Sequence, residues 1–257
     1  MTRCWVLLLS ALFSFCVQAD VEQNTMDHGD FGPFMRSLNN TSYGYQVIED
    51  VTRTAIINSA PTKLIEKFEV RPGDCYWNKG WNDCEQDRER SELSEQKKTT
   101  PAGSDAWYGW SIYFPEDFPN VYPTKTALGQ FHQANSHPIW MFQNGRGGYH
   151  LDDHISGTKK NYELINEADL RGRWHKIEVH ARWEKDHSGV FQVWVNGEQK
   201  VDYQGPTMDA DIVYFKYGVY RSFLSRYKQA RQLNAVPPQI VYYSNVKRGK
   251  NRASLQP

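Results

Sequence analysis

Apolar and polar residues alternate along most of the chain with the period of two that is typical of β-strands. From Ile177 to Trp183 every second residue is apolar, and the residues between them are charged or imidazole-bearing. Residues 190–195 repeat this pattern, and the dipeptide Asn196-Gly197 that follows favours a two-residue hairpin turn. The sequence therefore predicts strands at 174–183 and 190–195, each with one buried face and one face toward water.

Further segments with strand-like patterns are separated by turn residues such as Pro, Gly and Asp. They are residues 67–71, 107–114, 128–132, 139–143, 212–220 and 239–246. Helix is predicted only within residues 223–233, where apolar residues recur at helical spacing between basic ones. No repeat or linker divides the chain, so we predict a single all-β domain over residues 20–257, built from two packed antiparallel sheets. Curvature of one sheet would form a concave groove for substrate.

Composition narrows the class of protein. The chain has 257 residues, of which 39% are hydrophobic, and a mean hydropathy of −0.72. This apolar content suffices for a core, and no apolar run after residue 19 approaches a bilayer span, so a disordered chain and a multispan membrane protein are excluded. The 30 basic and 30 acidic residues balance, which argues against general binding to nucleic acid.

The charge balance is a cancellation between two parts of the chain. Residues 212–257 contain nine Lys and Arg and no Asp or Glu, whereas the preceding residues are acidic overall. Because like charges clustered in one segment attract the opposite charge, we expect an acidic polysaccharide to be steered to this segment.

The first 19 residues have the pattern of a secretory signal peptide. Arg3 gives a positive start, a short apolar run follows, and Ala19 ends a small-residue cleavage site. Lipidation of Cys16 is disfavoured because the preceding Phe15 is bulky where a lipoprotein signal needs a small residue. We therefore expect a secreted or periplasmic protein with no membrane span.

After cleavage, Cys75 and Cys84 are the two cysteines that stay in the chain. An even pair in an exported protein predicts a disulfide. The alternative is a pair of metal ligands, but no other Cys or His pair has the spacing of a zinc site.

Polar residues occupy alternate positions in three segments, where a core strand would be apolar. The residues predicted to share a face are Arg88, Arg90 and Glu92; Gln130 and His132; and Tyr214, Lys216 and Tyr220. Taken alone, the first set is ordinary for a solvated edge strand, the second for a structural histidine and the third for a core strand. Together they fit removal of the proton α to a carboxylate, which needs cations or amides to neutralise that carboxylate and an acid and base beside the sugar ring.

These segments carry a family resemblance. The motifs DRERSEL at 87–93, QFH at 130–132 and YFKYGVY at 214–220 resemble those of the heparin lyase I and glucuronan lyase group of jelly-roll polysaccharide lyases. They are also similar to the jelly-roll alginate lyases, whose strands read R-[ST]-E-L, Q-[IV]-H and Y-F-K-A-G-x-Y. Tyr217 replaces the Ala of that pattern, and Arg221-Ser222 replaces its usual Asn-Gln, so alginate is put in doubt as the substrate.

The resemblance implies a concanavalin-like β-jelly roll and an endo-acting lyase that cleaves an anionic, uronate-containing polysaccharide by β-elimination. Tyr220 would be the catalytic tyrosine, and His132 the partner base or charge neutraliser. Gln130 and Arg90 would bind the carboxylate, and Lys216 would be a neutralising cation. Further substrate contacts are expected from Arg88, Glu92, Tyr214, Arg221 and His150. No cofactor is required, with structural calcium left open, and the protein is expected to be a monomer.

Two other functions fit parts of the sequence. A non-catalytic carbohydrate-binding module would use the nine Trp and fifteen Tyr to stack on sugars. A retaining glycoside hydrolase would use Glu85, Asp87 and Glu89, which have the E-x-D-x-E spacing of β-glucanases on a related fold. Residues 150–154 contain two His and two Asp; we predict a polar loop over the groove that contacts sugar, with a metal site as the less favoured alternative.

Overall fold

The computed structural model describes residues 26–38, 41–52, 59–96, 100–155 and 160–257; the predicted signal peptide lies outside these ranges. In chain order the strands are β1 (Phe34–Leu38), β2 (Tyr45–Glu49), β3 (Leu64–Val70), β4 (Trp77–Asn78), β5 (Trp81–Asn82), β6 (Arg88–Glu95), β7 (Thr100–Pro101), β8 (Asp105–Tyr113), β9 (Lys125–Gln133), β10 (Pro138–Asn144), β11 (Tyr149–Asp153), β12 (Asn161–Ile165), β13 (Trp174–Arg182), β14 (Val190–Val195), β15 (Glu198–Gln204), β16 (Ile212–Ser222) and β17 (Gln239–Gly249). The α-helix α1 (Leu224–Arg231) follows β16, and short 3-10 helices in the described ranges are Glu167–Asp169 and Arg252–Leu255.

Two large antiparallel sheets form the domain, as predicted. The first has the order β1-β6-β16-β9-β10-β11-β12, with β7 pairing at one end of β16. The second has the order β15-β14-β13-β8-β17-β3-β2. Hairpin-connected strands such as β13, β14 and β15 alternate with neighbours that are far apart in the sequence, such as β6 and β16 or β8 and β17, so the fold is an all-β sandwich of the jelly-roll type. Among the described residues, no helix has the length and apolarity needed to cross a membrane.

Aromatic side chains fill the space between the two sheets. Phe131 of β9 packs against Trp183 and Phe215, with ring centroids 5.0 Å apart in both cases, and all three side chains are buried. Strand alternation sends every second residue of β16 into this core. The residues between them, among which are Lys216 and Tyr220, lie on the opposite face of the first sheet.

The alternating pattern located its strands well. Every segment predicted from it is a strand, and the segment at 190–195 has the predicted bounds. Asn196 and Gly197 both have positive φ, 51° and 88°, and join β14 to β15 as the predicted two-residue turn. The helix is also present, but it is shorter than the predicted 223–233.

Residues 150–154 are the clearest difference from the predicted organisation. Four of them belong to β11, which pairs with β10 on one side and β12 on the other, so the predicted loop is wrong. Leu151 points into the core with 0% exposure, whereas His150 and Asp152 alternate onto the opposite face. The buried Asp153 follows Tyr149 and Leu151 on the core-facing side and breaks the alternation of apolar and polar residues in the sequence.

The predicted disulfide between Cys75 and Cys84 is confirmed, with the two Cα atoms 5.4 Å apart. It closes the loop that carries the short hairpin of β4 and β5. This loop leads directly into β6, so the bond anchors the chain at the entrance to the strand that holds Arg90.

Candidate active site

Three neighbouring strands bring the predicted catalytic residues onto one face of the first sheet. Tyr220 of β16 faces Arg90 of β6 in the strand register, and Lys216 faces Gln130 of β9 on the other side. Glu92 lies between them on β6. We refer to Arg90, Glu92, Gln130, Lys216 and Tyr220 as the polar cluster.

Glu92 is at the centre of the polar cluster and organises it. Its carboxylate accepts a hydrogen bond from Gln130 Nε2 at 2.5 Å and from Lys216 Nζ at 2.7 Å. The Glu92 side chain is only 1% exposed, so it orients these donors from a buried position and is poorly placed for direct contact with a substrate. An ammonium has three N–H donors and an amide has two, so Lys216 and Gln130 keep donors for a second acceptor.

Arg90 is held by a carboxylate that the sequence analysis missed. Asp83 accepts from both Nε and Nη2 of Arg90 at 2.5 Å, the bidentate geometry that fixes a guanidinium in orientation. Asp83 is fully buried and also accepts from Trp81 Nε1 at 2.6 Å. Its position directly before Cys84 is the available sequence clue, because a disulfide immobilises its neighbours.

Tyr220 is the titratable group that this arrangement affects most directly. Burial raises the pKa of Tyr220, while the positive charges of Arg90 and then Arg88 act against that rise. The Arg90 guanidinium carbon lies 4.5 Å from the centroid of the Tyr220 ring. The Tyr220 hydroxyl makes no hydrogen bond within the part of the chain that the structure describes. The phenol is therefore protonated at neutral pH, and nearby cations stabilise its deprotonated form.

Gly218 explains how Tyr220 reaches this position. A Cβ atom at Gly218 would lie 2.4 Å from the Ser91 carbonyl oxygen and 2.7 Å from the Phe68 ring, and its φ of 124° is unfavourable for other residues. The pairing of β16 with β9 shifts between Tyr217 and Tyr220. Such an irregularity turns the side chains that follow it, which here include the Tyr220 phenol.

His132 lies beside the polar cluster, next to Tyr214. The two rings are 5.2 Å apart, and the strands place His132 directly opposite Tyr214. His132 Nδ1 is 2.8 Å from the Gln133 carbonyl oxygen, which can only accept, so Nδ1 carries the hydrogen and Nε2 is the basic nitrogen of the neutral ring. Burial raises the pKa of Tyr214 to about 12.

Lys216 combines burial with an acidic partner. Burial lowers the pKa of the Lys216 ammonium, and the charge of Glu92 opposes this change. A buried cation next to a single carboxylate is well placed to attract a second anion from the substrate.

Arg221 does not belong to the site, and its predicted substrate contact is wrong. Its side chain has 0% exposure and forms an ion pair with Glu89, while Nη1 donates to the Pro237 carbonyl. Strand alternation puts Arg221 on the same face as Val219, toward the core.

The remaining predicted contacts lie on the same face as the polar cluster, with His150 toward the other edge. Arg88 precedes Arg90 by two residues in β6. His150 on β11 is 9% exposed, and its Nδ1 has no hydrogen-bond partner among the described residues. Its neighbour Asp152 accepts from Gln143 Nε2 at 2.6 Å. Burial acts to raise the pKa of Asp152, but hydrogen bonds from His154 and Asn161 outweigh it and lower the pKa to about 2.

No metal centre is assembled from these side chains. Within the described ranges there is no group of three or more His, Cys, Asp or Glu arranged to hold an ion. His154 Nε2 is 3.9 Å from Asp152, whose carboxylate also lies 3.4 Å from Lys125 Nζ.

The three acids of the hydrolase pattern are separated by the fold. Glu85 is exposed and accepts from Asn82. Asp87 accepts from Ser225 at the start of α1, and Glu89 is buried. Two carboxylates facing one glycosidic bond, as a glycoside hydrolase requires, are not formed by these residues.

Comparisons with known proteins agree with this architecture. The family model described as polysaccharide lyase matches residues 26–247. The chain is similar to the endo-β-1,4-glucuronan lyase of the fungus Trichoderma reesei, with a TM-score of 0.57 and 16% identity over 92% of this chain and 95% of that chain. No curated protein sequence matches significantly.

Two further solved structures show the same fold. A family 7 alginate lyase in complex with product has a TM-score of 0.51 and 13% identity, covering 76% of this chain and 83% of that chain. A GH131 β-glucanase catalytic domain from Podospora anserina has a TM-score of 0.53 and 13% identity, covering 90% and 88%. At these identities the likeness concerns the fold.

Proposed function

The chain belongs to the polysaccharide lyase family, and from this premise we propose that it is a secreted, endo-acting enzyme that cleaves an unsulfated polyuronate by β-elimination. The observation that carries the proposal is the polar cluster, which combines an unbonded phenol with a guanidinium, an ammonium and an amide on one face of the sheet. The product would carry a C4–C5 double bond at its new non-reducing end.

The proposed mechanism uses Tyr220 as both base and acid. In a glucuronate-type residue the C5 proton and the O4 leaving group lie on one face of the ring. The phenolate of Tyr220 takes the C5 proton, the C–H electrons form the C4–C5 double bond, and the C4–O4 bond breaks. The phenol then gives the proton to O4, so Tyr220 returns to the state in which it began. The cation of Arg90 stabilises the phenolate.

The other members of the polar cluster are assigned to the carboxylate of the substrate. This carboxylate gains negative charge as C5 loses its proton, so donors aimed at it lower the energy of the transition state. Lys216 and Gln130 have unused N–H donors and are fixed by Glu92, which we assign a positioning role. We assign His132, Tyr214, Arg88 and His150 to substrate binding along the same face.

Glucuronan is the first substrate to test. The fungal lyase whose structure matches 92% of this chain is a glucuronan lyase. The residues at positions 217 and 221 differ from the alginate lyase pattern, which weakens the case for alginate. No long basic cluster of the kind that a heavily sulfated chain would attract is present in the sequence.

The test is incubation with glucuronan, alginate, hyaluronan and heparan-type chains while the ultraviolet absorbance of the new double bond is followed. We expect absorbance to rise with glucuronan and the viscosity to fall early, as endo-cleavage requires. Release of reducing ends without absorbance would instead indicate hydrolysis. Retention of a polyuronate on an affinity gel without any cleavage would indicate a binding module.

A further inference from the structure

Two arginines pack on one aromatic ring just beyond the polar cluster. The guanidinium carbons of Arg88 and Arg226 lie 4.4 Å and 3.9 Å from the centroid of the Phe223 ring. Arg88 faces Ser222 in the register of β6 and β16, one step along the same face from the pair of Arg90 and Tyr220. The positive charge of Arg88 also acts to lower the pKa of Tyr220, so this group is within electrostatic reach of the proposed catalytic phenol.

Neither of these guanidiniums has an acidic partner within the described ranges. By contrast, the neighbouring Arg90 is paired with Asp83 and the nearby Arg221 with Glu89. Arg88 uses Nη1 to donate to the backbone carbonyls of the two residues before it, at 2.8 Å and 3.1 Å. Both guanidiniums therefore contact one ring without a carboxylate to offset their charge, an arrangement that an incoming anion would stabilise.

The ring that carries both arginines is held in an uncommon conformation. Phe223 has a φ of 64°, which is rare for a bulky residue and is often found at functional sites. Asp87 secures the junction between β16 and α1: its carbonyl accepts from Phe223 N at 3.1 Å, and its carboxylate accepts from Ser225 N at 2.9 Å and Ser225 Oγ at 2.7 Å. The arginine stack is thus preorganised by the backbone around it.

We propose that Arg88, Phe223 and Arg226 form a carboxylate-binding subsite that holds the uronate next to the one being cleaved. This inference rests on the proposed function, because it takes the ligand to be a polyuronate chain lying along the polar cluster. Planar guanidiniums match the geometry of a carboxylate, and the Phe223 ring keeps both of them in place without neutralising their charge.

Arg226→Ala tests the subsite, and Arg231→Ala is its matched control. Both arginines are exposed on α1 and lack an acidic partner in the described chain, but Arg231 lies over Tyr227 instead of Phe223. In a Tyr220→Phe background, affinity electrophoresis through glucuronan should show the apparent dissociation constant rising about fivefold to tenfold for Arg226→Ala, the effect of one lost charge-assisted contact. Arg231→Ala should change it by less than about twofold, since that charge is screened by salt.

A carboxyl-reduced glucuronan gives the second arm of the experiment. It keeps the sugar backbone and removes the carboxylates, so Arg226→Ala and its control should bind it equally. Equal loss of glucuronan affinity in both α1 variants would overturn the subsite, as would an Arg226→Ala deficit that persists on the reduced polymer. Either result would leave the proposed function standing if the unaltered protein still produces the ultraviolet absorbance. Absence of both absorbance and binding in the unaltered protein would overturn the function itself.

Discussion

At the scale of single residues, the hydroxyl of Tyr220 is the atom on which the proposed chemistry depends. Tyr220→Phe removes it and keeps the ring beside Arg90, so we expect kcat to fall by at least about 10²-fold, as for loss of a general acid–base group, with KM little changed. Tyr242→Phe is a control for the same chemical change on the other sheet. Initial rates of double-bond formation with glucuronan measure both. A Tyr220→Phe enzyme that keeps most of its rate would remove Tyr220 from the mechanism.

The pH dependence of the rate follows from the charges around the same phenol. Burial raises the pKa of Tyr220, and a base must be deprotonated to act, so kcat/KM should increase as the pH rises toward the alkaline range. The positive charge of Arg88 acts to lower the pKa of Tyr220. Arg88→Gln removes that charge, so the rise of kcat/KM with pH should move about 0.5–1 pH unit higher. Because Arg88 is also assigned to substrate binding, kcat/KM of the variant should stay lower at every pH, and the midpoint of the rising limb is the measure of the lost charge.

Arg231→Gln controls this measurement, because it removes the same charge at the far end of α1. We expect its pH profile to overlay that of the unaltered enzyme. If kcat/KM instead rises between about pH 6 and 7, and Arg88→Gln does not move that rise, the imidazole of His132 is indicated as the base, since histidine ordinarily titrates there.

At the scale of elements, the loop closed by Cys75 and Cys84 links stability to catalysis. Replacing both cysteines by serine frees a loop of ten residues and should lower the free energy of unfolding by about 2–3 kcal/mol, measured by urea titration. Asp83 lies within this loop and fixes the Arg90 guanidinium, so kcat should also fall at temperatures where the variant is fully folded.

Asp83→Asn separates the two effects of that loop. It keeps the disulfide and the size of the side chain but weakens the bidentate hold on Arg90. We expect this variant to lose kcat while its loop remains closed. If the double serine variant loses stability but keeps full activity, the loop does not position Arg90.

The same scale shows where sequence reasoning succeeds. Strands with one apolar and one polar face, such as β13 and β14, are readable from the alternation alone. β11 is hidden because an acidic residue, Asp153, occupies a core-facing position after Tyr149 and Leu151, so the alternation stops after three residues. The placement of Arg221 failed because an ion pair with Glu89 compensates a charge on the core side, and that partner is 132 residues away in the chain.

The residues of the polar cluster could be predicted from the sequence more completely than the residues that hold them in place. Period-two spacing correctly placed Arg90, Lys216 and Tyr220 on one face, because alternation is a local property of a strand. The hold of Asp83 on Arg90 depends on the path of a disulfide-closed loop, and the central position of Glu92 depends on which strands become neighbours. Neither is fixed by local spacing.

At the scale of the whole molecule, the basic stretch at residues 212–257 is not a uniform positive surface. Five of its nine cations are compensated by acids from elsewhere in the chain: Lys216 with Glu92, Arg221 with Glu89, Lys247 with Asp27, Arg248 with Glu95, and Arg252 with Glu178. The others, three of which lie on α1, have no acidic partner among the residues described. The uncompensated charge is therefore concentrated on α1, which follows directly from the strand that holds Tyr220.

This concentration predicts how salt affects the enzyme. Replacing Arg226, Lys228 and Arg231 together by glutamine should lower kcat/KM for glucuronan several-fold at low ionic strength, because the steering of a polyanion toward the site is lost. Salt screens such long-range attraction, so as the salt concentration approaches about 0.5–1 M the difference should shrink to that of a variant that lacks the Arg226 contact alone.

A triple glutamine variant of Lys185, Lys200 and Lys250 removes the same net charge from exposed positions outside α1. If the charge on α1 provides the steering, this control keeps most of the rate at low salt and the full salt dependence of the unaltered enzyme. Equal effects of the two triple variants would mean that only the net charge of the molecule matters. In that case the position of α1 beside the polar cluster would have no part in capturing the polymer, and the cations of the polar cluster itself would have to supply the attraction.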